Sequence, residues 1–190
     1  MFSQLIEKTR TYRRYDRSKL VTGEDLCAIL ENVRYTASAG NLQRIRYITV
    51  SGSAADEAFA NISLGGYLPA EQKPDASVAP AAYVVMVTQT DSPDTNLAID
   101  IGISAEAIVL AAADRGIGSC MIRNFNKEYF GKLATGTGYY PVLVIALGYP
   151  AECVRITDAN PGESLKYYKI ENTNIVPKLK TSDLIIRKIV

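Results

Sequence analysis

The stretch "TNLAIDIGISAEAIVLAAADRGIGSCMI" (residues 95–122) decides the fold. Its first 21 residues, 95–115, carry charge only at Asp100, Glu106, Asp114 and Arg115. A helix that is apolar nearly all round belongs in a core or an interface, not on a surface. Gly116 supplies the left-handed stop, and "SCMIRNF" (119–125) then reads as a short extended stretch. A buried helix that turns straight into a strand needs a sheet to pack on. "AAYVVMVTQ" (81–89) is apolar, β-branched and aromatic, a buried strand. "YPVLVIALGYP" (140–150) is a continuous apolar run, the pattern of a central strand. "IRYITV" (45–50) reads as a third.

Other helices flank these strands. Over 22–35, Thr22 is a cap, and Leu26, Ile29, Leu30 and Val33 follow the helical period. "SAADEAFANI" (53–62) reads as a short helix capped by Ser53, and 127–134 as another. "LGGYLPAEQKPD" (64–75) is an ordered loop. The tail, 151–190, is poor in helix signals and ends in the apolar "LIIRKIV" (184–190). It reads as an extended arm ending in a strand whose apolar side chains need a partner, such as another subunit. Helices and strands mix irregularly, without repeats. The class is α+β: one domain over 1–190, with an arm from about 163.

The 190 residues carry a net charge of +1, with 47% apolar and 22% charged side chains. Neutrality argues against a dedicated nucleic-acid binder. Unbroken apolar runs such as "AIVLAAA" (107–113) fall short of a membrane span, and the opening "MFSQLIEKTR" shows no signal-peptide pattern. Cys27, Cys120 and Cys153 form neither a disulfide framework nor a CxxC pair, which suits free thiols in a reducing cytoplasm. There is no histidine. Ser-His-Asp and Cys-His catalysis are therefore excluded, and no metal site is expected.

Against this neutral background, "RTYRRYD" (10–16) gathers Arg10, Arg13 and Arg14, with Arg17 beyond. The bland reading is a solvated basic face. The sharper one is an anion site, because arginine forks match phosphate bidentately and Thr11 adds a hydroxyl. A distant pair, Lys178 and Lys180, is placed to converge on the same anion. Arg10 and Arg13 are expected to reach the anion, with Arg14 facing elsewhere, since strand-like alternation separates neighbours. "SAGNLQ" (38–43) reads as a helix-to-strand turn, with Gly40 and Asn41 tolerating left-handed backbone. Its cluster of Ser38, Asn41 and Gln43 also suits the edge of a flat heterocycle. "GIGSCMI" (116–122) fails as a dinucleotide motif: Met121 stands where the third glycine belongs, and the glycines follow a helix. Cys120, with no histidine to activate it, reads as a buried structural thiol.

Taken in order, these segments resemble the FMN-dependent nitroreductase family over nearly the whole chain. "RTYRRYD" resembles its opening R-S-[IY]-R-x-[FY]-D. "ASAGNLQRIRYITV" resembles P-S-x-x-N-x-Q-P-x-R-[FY] and the strand after it. "APAAYVVMV" is similar to the next strand. "AIDIGISAEAIVLAAADRGIGSCMI" is similar to the long helix followed by G-L-G-x-C-M-I. "VIALGYP" matches the strand ending G-Y-P, and "KYYK" with "VPKLK" resembles the arm and its basic anchor.

The resemblance implies a central, mostly antiparallel sheet flanked by helices. It also implies a homodimer whose arm adds a strand to the partner's sheet, and FMN at the interface. By the same resemblance Arg10, Thr11, Arg13, Lys178 and Lys180 bind the flavin phosphate. Ser38, Ala39 and Asn41 contact the ring, largely from the other subunit, and the backbone of Cys120, Met121 and Ile122 lies along it. No catalytic side chain is required, because the flavin carries the chemistry. NADH or NADPH reduces it, and a nitroaromatic, quinone or related acceptor then takes the same place in a ping-pong cycle. A flavin-binding protein without turnover would show the same motifs. The chain departs from the family pattern at Thr9, Ala37, Arg44, Arg123 and Asn124. Arg123 adds a charge suited to an anionic acceptor or to the phosphate of NADPH.

Overall fold

The computed structural model describes residues 2–189. In chain order the elements are α1 (Phe2–Lys8), α2 (Gly23–Val33), β1 (Arg46–Ser51), α3 (Ser53–Phe59), β2 (Ala82–Thr88), α4 (Thr95–Asp114), β3 (Gly118–Ile122), α5 (Lys127–Leu133), β4 (Tyr140–Gly148), β5 (Cys153–Ala159), β6 (Tyr168–Ile170), β7 (Thr173–Leu179) and α6 (Thr181–Leu184).

Every residue of β2 is buried, so both faces of its sheet must be covered. That sheet has the order β1-β2-β4-β3, and all its pairs are antiparallel. Val84, Met86, Ile145 and Leu147 point to one face, where Leu26, Ile29 and Val33 of α2 and Leu97, Ala105, Ile108 and Ala112 of α4 meet them. Tyr83, Val85, Val144, Ala146, Cys120 and Ile122 point to the other, onto Ala55, Ala58 and Phe130 of α3 and α5. Period-two alternation thus sorts one apolar run into two cores. Pro141, which has no N–H for the ladder, sits where the β2–β4 register shifts between Met86 and Val87.

The helix ends have local causes. Thr22 and Asp25 form a reciprocal capping box on α2. Asp94 caps α4 by accepting from the Leu97 N–H at 2.8 Å. Gly116, at φ +74°, ends α4 in a Schellman turn, with the Ile117 N–H on the Ala112 carbonyl and the Gly116 N–H on that of Ala113. By length and composition α4 could cross a membrane, with a mean hydropathy of 1.6 over its best window. Here one face of it packs in the core.

The structure corrects two expectations about elements. Ser53 is the first residue of α3, not its cap. Gly52, at φ +62°, takes the cap position, because the chain turns directly from β1 into the helix and only glycine enters that conformation freely. The second lies at the end of the tail. The tail folds back on its own chain as a second sheet of order β5-β7-β6, with β5–β7 parallel and β6–β7 antiparallel. β7 is the central strand of this sheet: β5 pairs along its whole length, while β6 pairs only with Thr173, Asn174 and Ile175, so among the described residues Val176–Leu179 keep one edge unpaired. Residues 185–189, expected as a strand, have no regular structure, and Val190 lies outside the described residues.

Gly118 and Gly148 face each other across β3 and β4. A Cβ on Gly118 would lie 2.7 Å from the Tyr12 ring, and one on Gly148 would lie 2.7 Å from the Tyr15 ring. The two tyrosines occupy the space the glycines vacate. We predict that Gly148→Ala destabilises the fold by about 1–3 kcal/mol through overpacking, measured by urea denaturation; an unchanged midpoint would show that Tyr15 yields freely.

Candidate functional site

The segment Thr9–Asp16 runs past the open edge of β3 and the turn after β4. The Tyr12 N–H donates to the Ser119 carbonyl at 2.9 Å, the Asp16 N–H to Tyr149 at 2.8 Å, and the Ala151 N–H to Arg14 at 2.9 Å. Tyr15 is fully buried, and its hydroxyl donates to the Tyr12 carbonyl at 2.6 Å. Burial holds that phenol well above its ordinary pKa. With the tyrosines pinned inward, the arginines separate. Arg14 donates to the backbone carbonyls of Gln72 and Lys73 at 3.0 and 3.3 Å. Arg17 pairs with Asp56 at 2.5 Å.

Arg10 and Arg13 instead line a cavity of about 390 Å³, together with Thr11, Ser119, Met121 and Lys178. Glu106 and Val109 of α4 and Tyr167 and Val176 of the tail complete the wall. Among the described residues, Arg10, Arg13 and Lys178 have no carboxylate partner within ion-pair distance, although Glu106 stands on the same wall. The Arg10 guanidinium bonds the Ile6 carbonyl, yet its Nε is buried without a partner. The Arg13 guanidinium lies over the Tyr167 ring at 4.0 Å, a stacked cation with its edge free to donate. Two forks, an ammonium and hydroxyls around one hollow are the donor set of a phosphate site.

Met121 also lines a second cavity, of about 640 Å³. Its wall is mostly apolar, with Ile101, Ala105, Phe125 and Leu143, and its charges are Asp91, Arg123 and Lys127. β3 is an edge strand. Since the Ser119 carbonyl faces outward to Tyr12, ladder alternation turns the Met121 N–H and C=O to the same open edge. The backbone beside both cavities is therefore available to a ligand. The side chains of Cys120 and Ile122 point the other way, into the core. Burial pushes the Cys120 thiol up to about 11, so it stays protonated and is no nucleophile.

Ser38, Ala39 and Asn41 line neither cavity within their own chain. Ser38 opens onto a separate hollow of about 200 Å³ beside Tyr47 and Ser104. Gly40, Asn41 and Gln43 all take positive φ, and the turn is tied to α4 by the Ala39 N–H on the buried Asp100 Oδ1 at 2.9 Å. Asp100 Oδ2 is buried without a partner. Lys180 does not join Lys178. β7 ends at Leu179, so strand alternation stops there, and Lys180 lies 3.9 Å from Asp158.

Sequence reasoning missed Glu152, Tyr167, Ser119 and Glu106. Glu152 is buried, and its Oε1 accepts from the N–H groups of Arg13 at 2.5 Å and Arg14 at 3.2 Å. Lys169 lies 4.0 Å from its Oε2. Burial, reinforced by the nearby Arg14, lowers the Lys169 pKa, while Glu152 opposes that shift. The only hint of Glu152 in the sequence is a lone acid directly after the apolar "VIALGYPA".

Comparison with known proteins bears on this site. Residues 6–149 match the model of the nitroreductase family. A nitroreductase family protein from Streptococcus pneumoniae TIGR4 is 21% identical, with a TM-score of 0.68 over 99% of this chain and 100% of that one. One from Clostridium novyi NT is 22% identical, with a TM-score of 0.65 over 79% and 85%. An FMN-dependent nitroreductase from Clostridium difficile R20291 is 23% identical, with a TM-score of 0.60 over 78% and 87%. No curated protein matches the sequence. The family match spans the arginine-bearing segment, the long core helix and both central strands, and on that ground the chain belongs to the nitroreductase family.

Proposed function

We propose that the protein is an FMN-dependent oxidoreductase that uses NADH or NADPH to reduce a nitroaromatic, a quinone or a related small acceptor by a ping-pong mechanism. The observation that carries this reading is the cavity where Arg10, Arg13 and Lys178 converge without carboxylate partners, joined at Met121 to a larger apolar one. The first suits a phosphate monoester and the second a flat heterocycle. FMN, when bound, supplies reversible two-electron redox chemistry that side chains lack. Arg10, Thr11, Arg13 and Lys178 would hold its phosphate, and the Met121 backbone would bond the edge of its ring. The apolar wall of the larger cavity excludes water from the face where donor and acceptor take turns.

A homodimer is part of the same reading. Ile99 and Ile103 are exposed on α4, an apolar flank suited to a second copy. The "SAGN" turn reaches neither of these two cavities in its own chain, so Ser38, Ala39 and Asn41 would serve the partner's. Cofactor and reductant, with no resident metal, complete the reading. A cytoplasmic setting suits it, since NAD(P)H is supplied there.

Purified protein should be yellow, bleach on anaerobic addition of NADH or NADPH, turn over with a quinone or nitroaromatic, and elute at twice its 20.7 kDa chain mass. A protein that stays colourless after incubation with FMN would sink the reading. Bleaching without turnover would instead mark a non-catalytic flavin binder.

Arg13→Ala should weaken FMN binding by about 1.5–3 kcal/mol, the worth of charge-assisted hydrogen bonds. Arg14→Ala, which removes contacts to backbone carbonyls only, should leave it near wild type. Equal losses in equilibrium dialysis would overturn the assignment. Arg123, at the mouth of the larger cavity with no ion-pair partner among the described residues, is proposed to favour anionic acceptors. Arg123→Ala should lower kcat/KM about tenfold for a carboxylated quinone relative to a neutral one; an unchanged ratio would refute that role.

A further inference from the structure

We propose that Glu152 is the positioning residue of the anion cradle, holding the Arg13–Arg14 backbone and locking it to the tail that delivers Lys178. The proposal rests on reading the cavity as a phosphate site and adds the device that assembles it.

The cradle is built from two chain segments far apart in sequence. Arg10, Thr11 and Arg13 come from the beginning of the chain, and Lys178 from β7 near its end. Their cations repel one another, so something else must hold them together. Glu152 sits between them, on the turn from β4 into β5. Its side chain is 2% exposed and that of Lys169 is 8% exposed. A buried carboxylate is costly unless its lone pairs are met. Oε1 is met by the amides of Arg13 and Arg14, and Oε2 faces the Lys169 ammonium at 4.0 Å. One carboxylate therefore grips the first segment by its backbone and the tail by a side chain.

The consequence for Arg13 is specific. Its amide is fixed by Glu152 and its guanidinium by the Tyr167 ring. Tyr167 is in turn held by the Tyr67 N–H on its hydroxyl at 3.2 Å and by the Tyr67 ring at a centroid distance of 5.2 Å. Lys169 lies on β6 opposite Asn174 of β7, and Lys178 lies further along that same β7. When Lys169 docks on Glu152, Tyr167 is placed under Arg13 and Lys178 is placed at the cavity. Docking of the tail and binding of phosphate are then linked, and each strengthens the other by the same factor.

A purely structural Glu152 would matter to every ligand alike. A positioning Glu152 matters to the phosphate, so the test compares FMN with riboflavin, which lacks it. Glu152→Gln keeps the size and the acceptor but removes the charge. It should weaken FMN binding about tenfold, within the usual range of coupling between sites, and leave riboflavin binding unchanged. Amide hydrogen exchange, read on the full chain without flavin, should rise together over 10–15 and 168–179. Adding Lys169→Met, which removes the stranded ammonium, should restore protection over 168–179. Equal losses for FMN and riboflavin, or exchange unchanged in both segments, would overturn the proposal. If wild-type protein binds neither flavin, the reading of the site fails, and the exchange data alone decide whether Glu152 couples the two segments.

Discussion

Two glycines that face each other across β3 and β4 set the position of everything at the candidate site. Gly118 and Gly148 leave a bare patch at the end of the sheet. Tyr12 and Tyr15 fill it at distances that no Cβ would permit. Once the tyrosines are seated, the chain between them has few choices. Its amides turn to Glu152, the Arg14 side chain reaches backbone carbonyls, and Arg10 and Arg13 open onto the cavity. The aromatic residues of "RTYRRYD" are thus the foundation, and its arginines the cargo. A basic stretch without those tyrosines would carry the same charge with no fixed direction.

The long helix α4 makes the second half of the arrangement. Its inner face fills the core, while Glu106 and Val109 wall the first cavity and Ile101 and Ala105 the second. Two acids fasten loops to it. Asp100 holds the Ala39 amide. Asp94 caps the helix and pairs with Arg44 at 2.8 Å, and that contact, with the Leu97 amide, lowers its pKa to about 2. An apolar helix with two well-placed carboxylates can therefore be both core and scaffold.

Much of this was legible in the sequence, for physical reasons. Short continuous apolar runs rich in β-branched residues, such as "YVVMV" and "VLVIAL", read as strands covered on both faces. α4 announced itself by length and by its lack of charge, and its end by Gly116. What escaped depended on contacts distant in sequence. Glu152 acts through the amides of Arg13 and Arg14, and nothing near position 152 signals that. The sheet of β5, β7 and β6 escaped because an apolar, extended segment looks the same whether its partner is another subunit or its own chain. Lys178 and Lys180 form one basic pair in the sequence, but β7 ends between them, and Lys180 lies beside Asp158, a contact that nothing local signals. Gly52 took the cap from Ser53 because the tightness of a β–α turn overrides side-chain preference.

The charges themselves sharpen the case for an anion at the site. Away from the cavity, many cations stand beside a carboxylate: Arg17 with Asp56, Arg34 with Glu31, Arg44 with Asp94, Arg115 with Asp25, Lys132 with Glu128. The chain has 20 acidic residues for 21 basic ones, so partners are not scarce. Yet within the cavity Arg10, Arg13 and Lys178 converge without one, and the nearest buried carboxylate, Glu152, is engaged by backbone amides and Lys169. Gathering like charges costs free energy that grows as water is excluded. The proposed phosphate would offset this cost as a counter-charge from outside the chain, and the contacts that anchor both contributing segments are what would keep the cations in place for it.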